Sequence, residues 1–373
     1  MAGIYIHIPF CKQACSYCNF HFSTKLSNKA VMIDTIASEI EARKLYLNNE
    51  PINTIYFGGG TPSLLSEEEL TRLFEVLYKT FEISASAEIT LEANPDDLTL
   101  MKLKSLRSSP INRLSIGVQS FFEEDLRFMN RAHSADEATS SIKNAQDQGF
   151  ENLNLDLIFG SPTTTDGMWQ RNLEQFFELK IPHLSAYSLT IEEKTALAHQ
   201  IKTGKSQNID EAQNYRQYML LQDAIKANGY EQYELSNYCK NENYSKHNTA
   251  YWFGTNYLGI GPAAHSFNGK SRQWNVSNNM QYLKALKENK MHYELEDLSE
   301  IDRYHEYLIT ALRTKWGIDF EEIEKFSGSL KTHFFKQLKK LNFNGLIHSE
   351  SNLRIDSANL FQSDEVVRKL MLD

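Results

Sequence analysis

Over the first half of the chain, short β-rich apolar runs alternate with amphipathic stretches of helical period, the pattern of parallel βα units. The runs are IYIHI (4–8), TIYF (54–57), EITLEA (88–93), RLSIGV (113–118), NLNLDLIF (152–159) and HLSAYS (183–188). Between them the spacing predicts helices, two of which open on a capping box, Ser66 with Glu69 and Ser134 with Glu137. In such a box each side chain satisfies an amide that the first helical turn leaves unpaired. Six βα units in one direction suit either a doubly wound open sheet or part of a (β/α) barrel, and periodicity does not choose between them. In both, ligand sites are built at the carboxyl ends of the strands. The unusual residues fall there: Cys11 to Cys18, Gly58 to Thr61, Glu92 to Pro95, Gln119, Asp156 and Tyr187. One polar residue at a strand end is more often a cap or turn former, but six in succession point to a site.

After residue 188 the alternation breaks down. A helix is predicted over 210–228, followed by a polar, aromatic and glycine-rich stretch without clear period, which reads as a long ordered loop with short strands. Helical periodicity resumes over 300–314 and 330–341, then come strand-like pieces around Ile347 and Leu353 and a last helix near 366–371. That succession suggests a winged-helix-like α+β module. Its Lys and Arg are interspersed with acids, which favours packing or a lid over DNA binding. The chain therefore divides into 1–230, a connecting region 231–299, and 300–373.

Composition narrows the class of function. The 373 residues are 41% hydrophobic and 23% charged, with 39 Lys and Arg against 48 Asp and Glu, a net charge of −9. This balance opposes non-specific binding to nucleic acid or anionic membrane, both of which need dense positive charge. No apolar run approaches the ~20 residues of a membrane span. Four Cys are too few for a secreted disulfide framework, and the N-terminus lacks a signal-peptide pattern, so a reducing cytoplasm is expected.

Three of those four cysteines, Cys11, Cys15 and Cys18, are spaced by three and then two residues on the loop after the first strand. A zinc site would need a fourth ligand, which His7 or His21 could supply. A redox pair of Cys15 and Cys18 would leave Cys11 without a role. An iron-sulfur cubane on three thiolates would leave one iron open, able to take the amino and carboxylate groups of S-adenosylmethionine. Cys239, far away in sequence, is expected to be structural or incidental.

The CKQACSYC spacing resembles that of the radical S-adenosylmethionine (SAM) proteins. With YIHIPFC, GGGTP, LEANP, SIGVQS, MNRAHS and NLDLIFG, nearly the whole chain resembles the anaerobic coproporphyrinogen III oxidase family. The resemblance implies a partial (β/α)6 barrel with a C-terminal winged-helix-like domain. It also implies a 4Fe-4S cluster on Cys11, Cys15 and Cys18, and SAM bound by Tyr5, Gly59, Gly60, Thr61, Glu92, Gln119, Arg131 and Asp156. Two features depart from the dehydrogenase of that family: Phe20 stands where its pattern has a further Cys, and only four residues precede Tyr5. HNTAYW (247–252) instead fits the HNxxYW motif of the family's haem-chaperone subgroup. That match implies haem binding by His247, Tyr251 and Trp252, with His247 favoured over His265 as the iron ligand, and delivery to acceptors such as respiratory haem proteins, by a monomer or a dimer. The competing expectation is an oxygen-independent coproporphyrinogen III dehydrogenase, or another tetrapyrrole-oxidising enzyme, acting through a 5′-deoxyadenosyl radical. A redox-sensing DNA-binding regulator is a third, opposed by the acidic balance.

Overall fold

The structure, a computed structural model, describes residues 2–288, 290 and 293–372. Strands β1 (Ala2–Ile8), β2 (Ile52–Gly59), β3 (Ile83–Ala93), β4 (Arg113–Gln119), β5 (Leu153–Phe159) and β6 (His183–Ser188) cover all six expected runs. Each pairs in parallel with the next in the chain. A doubly wound sheet reverses its strand order near the middle, whereas this unbroken order is that of a barrel wall, which resolves the choice that periodicity left open.

The strands alternate strictly, and the alternation builds two different faces. Ile4, Ile6 and Ile8, Ile55 and Phe57, Leu114, Ile116 and Val118, and Leu153, Leu155 and Leu157 are buried in one core with Ile33, Ile36, Leu73, Leu77 and Trp169 of the surrounding helices. Each such side chain stabilises the fold by roughly 1.5–3 kcal/mol relative to exposure. The intervening positions are polar and satisfy one another across strands. Asn154 donates to Ser115 Oγ (2.7 Å) and Ser185 Oγ (2.9 Å), and His183 Nε2 is hydrogen-bonded to the Tyr233 hydroxyl (2.7 Å). Both anticipated capping boxes form, at Ser66 and Ser134.

Residues 231–299 carry the short strands expected there, and add two helices, Lys246–Trp252 and Asn279–Lys287. β7 (Glu231–Gln232) and β8 (Asn237–Cys239) add antiparallel strands beyond β6. β9 (Tyr257–Ile260) lies parallel to β1, followed by the antiparallel β10 (His265–Phe267), β11 (Ser271–Asn275) and β12 (Tyr293–Asp297). The described residues thus form one twelve-stranded sheet, order 12-11-10-9-1-2-3-4-5-6-8-7. HNTAYW lies within a helix, Lys246–Trp252, which opens where the Ser245 side chain accepts from the Asn248 amide. Strands of two to five residues and a seven-residue helix are too short to impose a period on the sequence, so their regularity was hidden.

Residues 300–373 include the helices Glu300–Leu312, Gly328–Leu338 and Ser363–Leu370, and a three-stranded antiparallel sheet of β13 (Ile318–Asp319), β14 (Leu346–His348) and β15 (Asn352–Ile355). Tyr304, Leu308, Phe334, Leu353 and Val366 centre a second core, the winged-helix-like module expected.

One buried carboxylate fastens the added strands to the barrel. Glu39, on helix Lys29–Ala42, accepts from the Gly261 amide (2.8 Å), Asn275 Nδ2 (2.7 Å) and the Tyr282 hydroxyl (2.5 Å), and pairs with Arg43 at 3.5 Å. Removing one member of such a network strands the others without solvent. Glu39→Ala is expected to cost about 3–5 kcal/mol in denaturant unfolding; a loss below about 1 kcal/mol would show that the network is dispensable.

Candidate functional site: a thiol cavity beside a larger aromatic cavity

The cysteine loop leaves the end of β1 and is tied down at several points. The Cys11 amide donates to Ser23 O (3.1 Å) and the Ser23 amide to Pro9 O (2.9 Å). Ser16 is buried and donates through its amide to Met129 O and through its hydroxyl to Phe128 O, both at 3.0 Å. The three thiols are thereby held half-buried on one side of a cavity of about 670 Å³. Among the described residues no three His, Cys, Asp or Glu side chains close around a single ion, so the thiols border a space rather than a point.

The glycine strap after β2 lies against this loop. Gly60 N donates to Ile8 O (2.9 Å) and Thr61 N to Phe10 O (2.7 Å). A Cβ on Gly60 would fall 2.6 Å from Phe10 O and 2.8 Å from Ile8 O, so the close approach requires glycine. Gly59 adopts φ +106°, a left-handed value that glycine tolerates.

Charged groups complete the cavity wall. Arg131 donates to Cys15 Sγ (3.2 Å), Asn94 Oδ1 (2.8 Å) and Gly117 O (2.6 Å), while its Nε is buried without a partner. Glu92 accepts from the Tyr56 hydroxyl (2.8 Å). Burial pushes its carboxyl up to about 7, with Asp156 adding to the rise and the Tyr56 hydrogen bond opposing it. Asp156 is also raised by burial, against hydrogen bonds from Ser185 and Asn154. Gln119 sits at φ +70° beside an irregularity in the β4–β5 register, which turns its side chain toward the cavity.

The structure therefore brings Cys11, Cys15, Cys18, Gly59, Gly60, Thr61, Glu92, Gln119, Arg131 and Asp156 around one cavity. Tyr5 instead borders a second, larger cavity of about 1270 Å³, together with Tyr251 and Trp252. Asn19 and Phe20 border both. His247 is 2% exposed and stands behind Tyr251: its Nε2 is hydrogen-bonded to the Tyr251 hydroxyl and its Nδ1 to Thr54 Oγ1, each at 2.8 Å. It stacks on Tyr56 at 5.0 Å, and burial lowers its pKa to about 3.

Residues 5–176 match the radical SAM superfamily and residues 298–358 the HemN C-terminal domain. The "Heme chaperone HemW" of Bacillus subtilis is 33% identical over 94% of this chain and 94% of its own. That of Lactococcus lactis is 33% identical over 99% and 97%. The chain belongs to the HemW group of radical SAM proteins. Its fold is that of coproporphyrinogen III oxidase (HemN) from Escherichia coli, with a TM-score of 0.85 at 23% identity over 99% of this chain and 89% of that one. Membership of the family implies a 4Fe-4S cluster and SAM. The residues fit both: three thiols bordering one cavity, a glycine strap packed against their loop, two acidic groups, and Arg131, whose buried Nε is left unpartnered.

Sequence reading missed the polar inner face of the strands, notably Arg113, which is 1% exposed with Nε and Nη2 unpartnered, and His183 and Asn154. The signal was present as every second residue of each strand, overshadowed by the apolar residues between them.

Gly60→Ala is expected to force the strap from β1, costing about 1–3 kcal/mol of stability and lowering the iron retained after anaerobic reconstitution. Unchanged stability and iron content would contradict the close approach.

Proposed function

We propose that this protein is a cytoplasmic haem chaperone: it binds haem as cargo, passes it to acceptor haem proteins, and carries a 4Fe-4S cluster and SAM. Cys11, Cys15 and Cys18 hold the cluster. Gly59, Gly60 and Thr61 offer backbone to the methionine end of the cofactor, and Glu92, Gln119, Arg131 and Asp156 take its polar groups. When bound, the cluster's open iron supplies one-electron chemistry to the cofactor. Haem occupies the larger cavity. Tyr251 and Trp252 form aromatic wall against the porphyrin, and His247 holds the Tyr251 hydroxyl from behind.

The observation that carries this reading is the adjacency of the two cavities, which share Asn19 and Phe20 of the cysteine loop. The group name borne by the relatives, heme chaperone, supports it at about one-third identity over nearly the full chain. Phe20 in place of a further thiol favours it over a tetrapyrrole-oxidising enzyme.

Glu92 gives the cofactor site a pH dependence. Its proton is retained until about pH 7, so the carboxylate that accepts from the cofactor is lost as pH falls through neutrality. SAM affinity, measured by calorimetry on the cluster-loaded protein, is expected to weaken from about pH 8 to about pH 6, and Glu92→Gln to remove that slope. A slope equal in both proteins would sink the assignment.

The function itself is tested by titrating the anaerobically purified protein with haem. Stoichiometric binding with a defined Soret band is expected, weakened about threefold to tenfold in Trp252→Ala. Absence of binding in the unmutated protein, or protoporphyrinogen formed from coproporphyrinogen with 5′-deoxyadenosine, would refute the chaperone reading.

A further inference from the structure

We propose that the imidazole presented to haem iron in the larger cavity is His265, not the motif histidine His247, and that Arg303, which lines the same cavity, receives a haem carboxylate. The proposal deepens the haem reading above and rests on it.

The hairpin of β10 and β11 makes one wall. Its register pairs His265 with Trp274 and Phe267 with Arg272, and directly opposed residues share a face, as do residues two apart. His265, Phe267 and Arg272 all border the cavity from that face. The His265 ring stacks on Trp274 with centroids 6.0 Å apart and planes at 25°, which fixes the direction of its nitrogens. The residue is exposed, and among the described residues neither ring nitrogen has a hydrogen-bond partner.

The other imidazoles near the cavity already make hydrogen bonds, His7 and His247 through both ring nitrogens and His21 through one. His7 Nε2 donates to His21 O (2.8 Å), and its Nδ1 is hydrogen-bonded to the Tyr5 hydroxyl (3.2 Å). His21 Nε2 is hydrogen-bonded to Asn279 Oδ1 (2.7 Å). His247 has both nitrogens bonded, and coordination through it would break one of those bonds and uncover a buried ring. Partial burial and the nearby Arg272 keep the His265 pKa below its ordinary value, so the ring is neutral near pH 7 and its lone pair is free for a metal.

Helix Glu300–Leu312 lines the same cavity and is joined to the hairpin by an ion pair. Arg272 is already engaged by Glu306 (2.6 Å) and lies over Phe267 (5.1 Å). Arg303, one turn before Glu306 and on the same helix face, borders the cavity and is exposed, with no ion pair among the described residues. A guanidinium there can fork onto a carboxylate. An unengaged imidazole on the hairpin and an unengaged guanidinium on the helix match the two polar features of haem, its iron and its propionates, and aromatic side chains line the same cavity.

The test is a ferric-haem titration of the full-length protein, followed by optical and low-temperature electron paramagnetic resonance spectra. The unmutated chain is expected to show a histidine-ligated signature. His265→Ala is expected to lose that signature, to bind on the order of tenfold more weakly, and to regain the Soret position when free imidazole is added. His247→Gln, which retains hydrogen-bonding groups toward Thr54 and Tyr251, is expected to keep the signature. Arg303→Gln is expected to weaken binding without moving the spectrum. A His265→Ala spectrum and affinity identical to those of the unmutated chain, or loss of the signature in His247→Gln instead, would overturn the assignment while leaving haem binding intact. No haem spectrum in the unmutated chain would overturn the proposed function and this assignment with it.

Discussion

The parallel pairing of β1 with β2, from Gly3 against Thr54 to Ile8 against Gly59, is the constraint on which both cavities depend. A slip of one residue would turn every side chain of β1 to the other face, bringing Tyr5 and His7 into the helix layer and the isoleucines inward. In the observed register the cysteine loop leaves β1 beside the glycine strap that leaves β2, and two backbone hydrogen bonds lock them together. At the opposite end of the same pair, Tyr5 stacks on Tyr56 and Thr54 meets His247. One strand pair thus supplies the floor of the thiol cavity and the support for the aromatic one.

Electrostatics inside the strands follows from the same alternation. The inner face holds Glu92 and Asp156 half-buried near the buried Arg113, and desolvation dominates the behaviour of the two carboxyls. It raises both carboxyls, and Arg113 draws them partly back. It lowers His183 and His247, and there Arg113 acts in the same direction. These imidazoles are held neutral and serve as hydrogen-bonding links, His183 to Asn154 and Tyr233, His247 to Thr54 and Tyr251. The interior is a polar lattice beneath the site in which the buried Arg113 keeps Nε and Nη2 without partners, as Arg131 does its Nε beside Cys15.

The larger cavity depends on the C-terminal module as much as on the barrel. Lys315 pairs with Glu231 and Arg272 with Glu306, both at 2.6 Å, and the Tyr218 hydroxyl donates to Ser357 O at 2.6 Å. Each partly exposed pair contributes little alone, but together they tie the C-terminal module to the barrel and its added strands. Phe20, 68% exposed, stands where this space meets the thiol cavity. An aromatic ring instead of a thiol at that position makes the wall apolar rather than reactive, which supports the chaperone function proposed above.

By itself the sequence determined the six strands, both capping boxes and the C-terminal module, because each rests on local forces: pleat alternation, first-turn amides and a short apolar period. It also determined the cysteine spacing and the glycine strap, whose chemistry is carried by residues close in the chain. Tertiary structure decided the rest. Barrel order instead of a doubly wound sheet depends on which strands pair. The short strands of 231–299 gain their regularity only from pairing with one another and with the barrel edges, β1 and β6. HNTAYW was legible as a motif, but which of its side chains reach a cavity was not. His247 is turned inward by hydrogen bonds to Thr54, 193 residues earlier, and to Tyr251 within its own helix, while His265 is left open on a hairpin face. Long-range pairing of this kind leaves no local pattern, so only the folded chain could separate a buried, fully bonded imidazole from a free one.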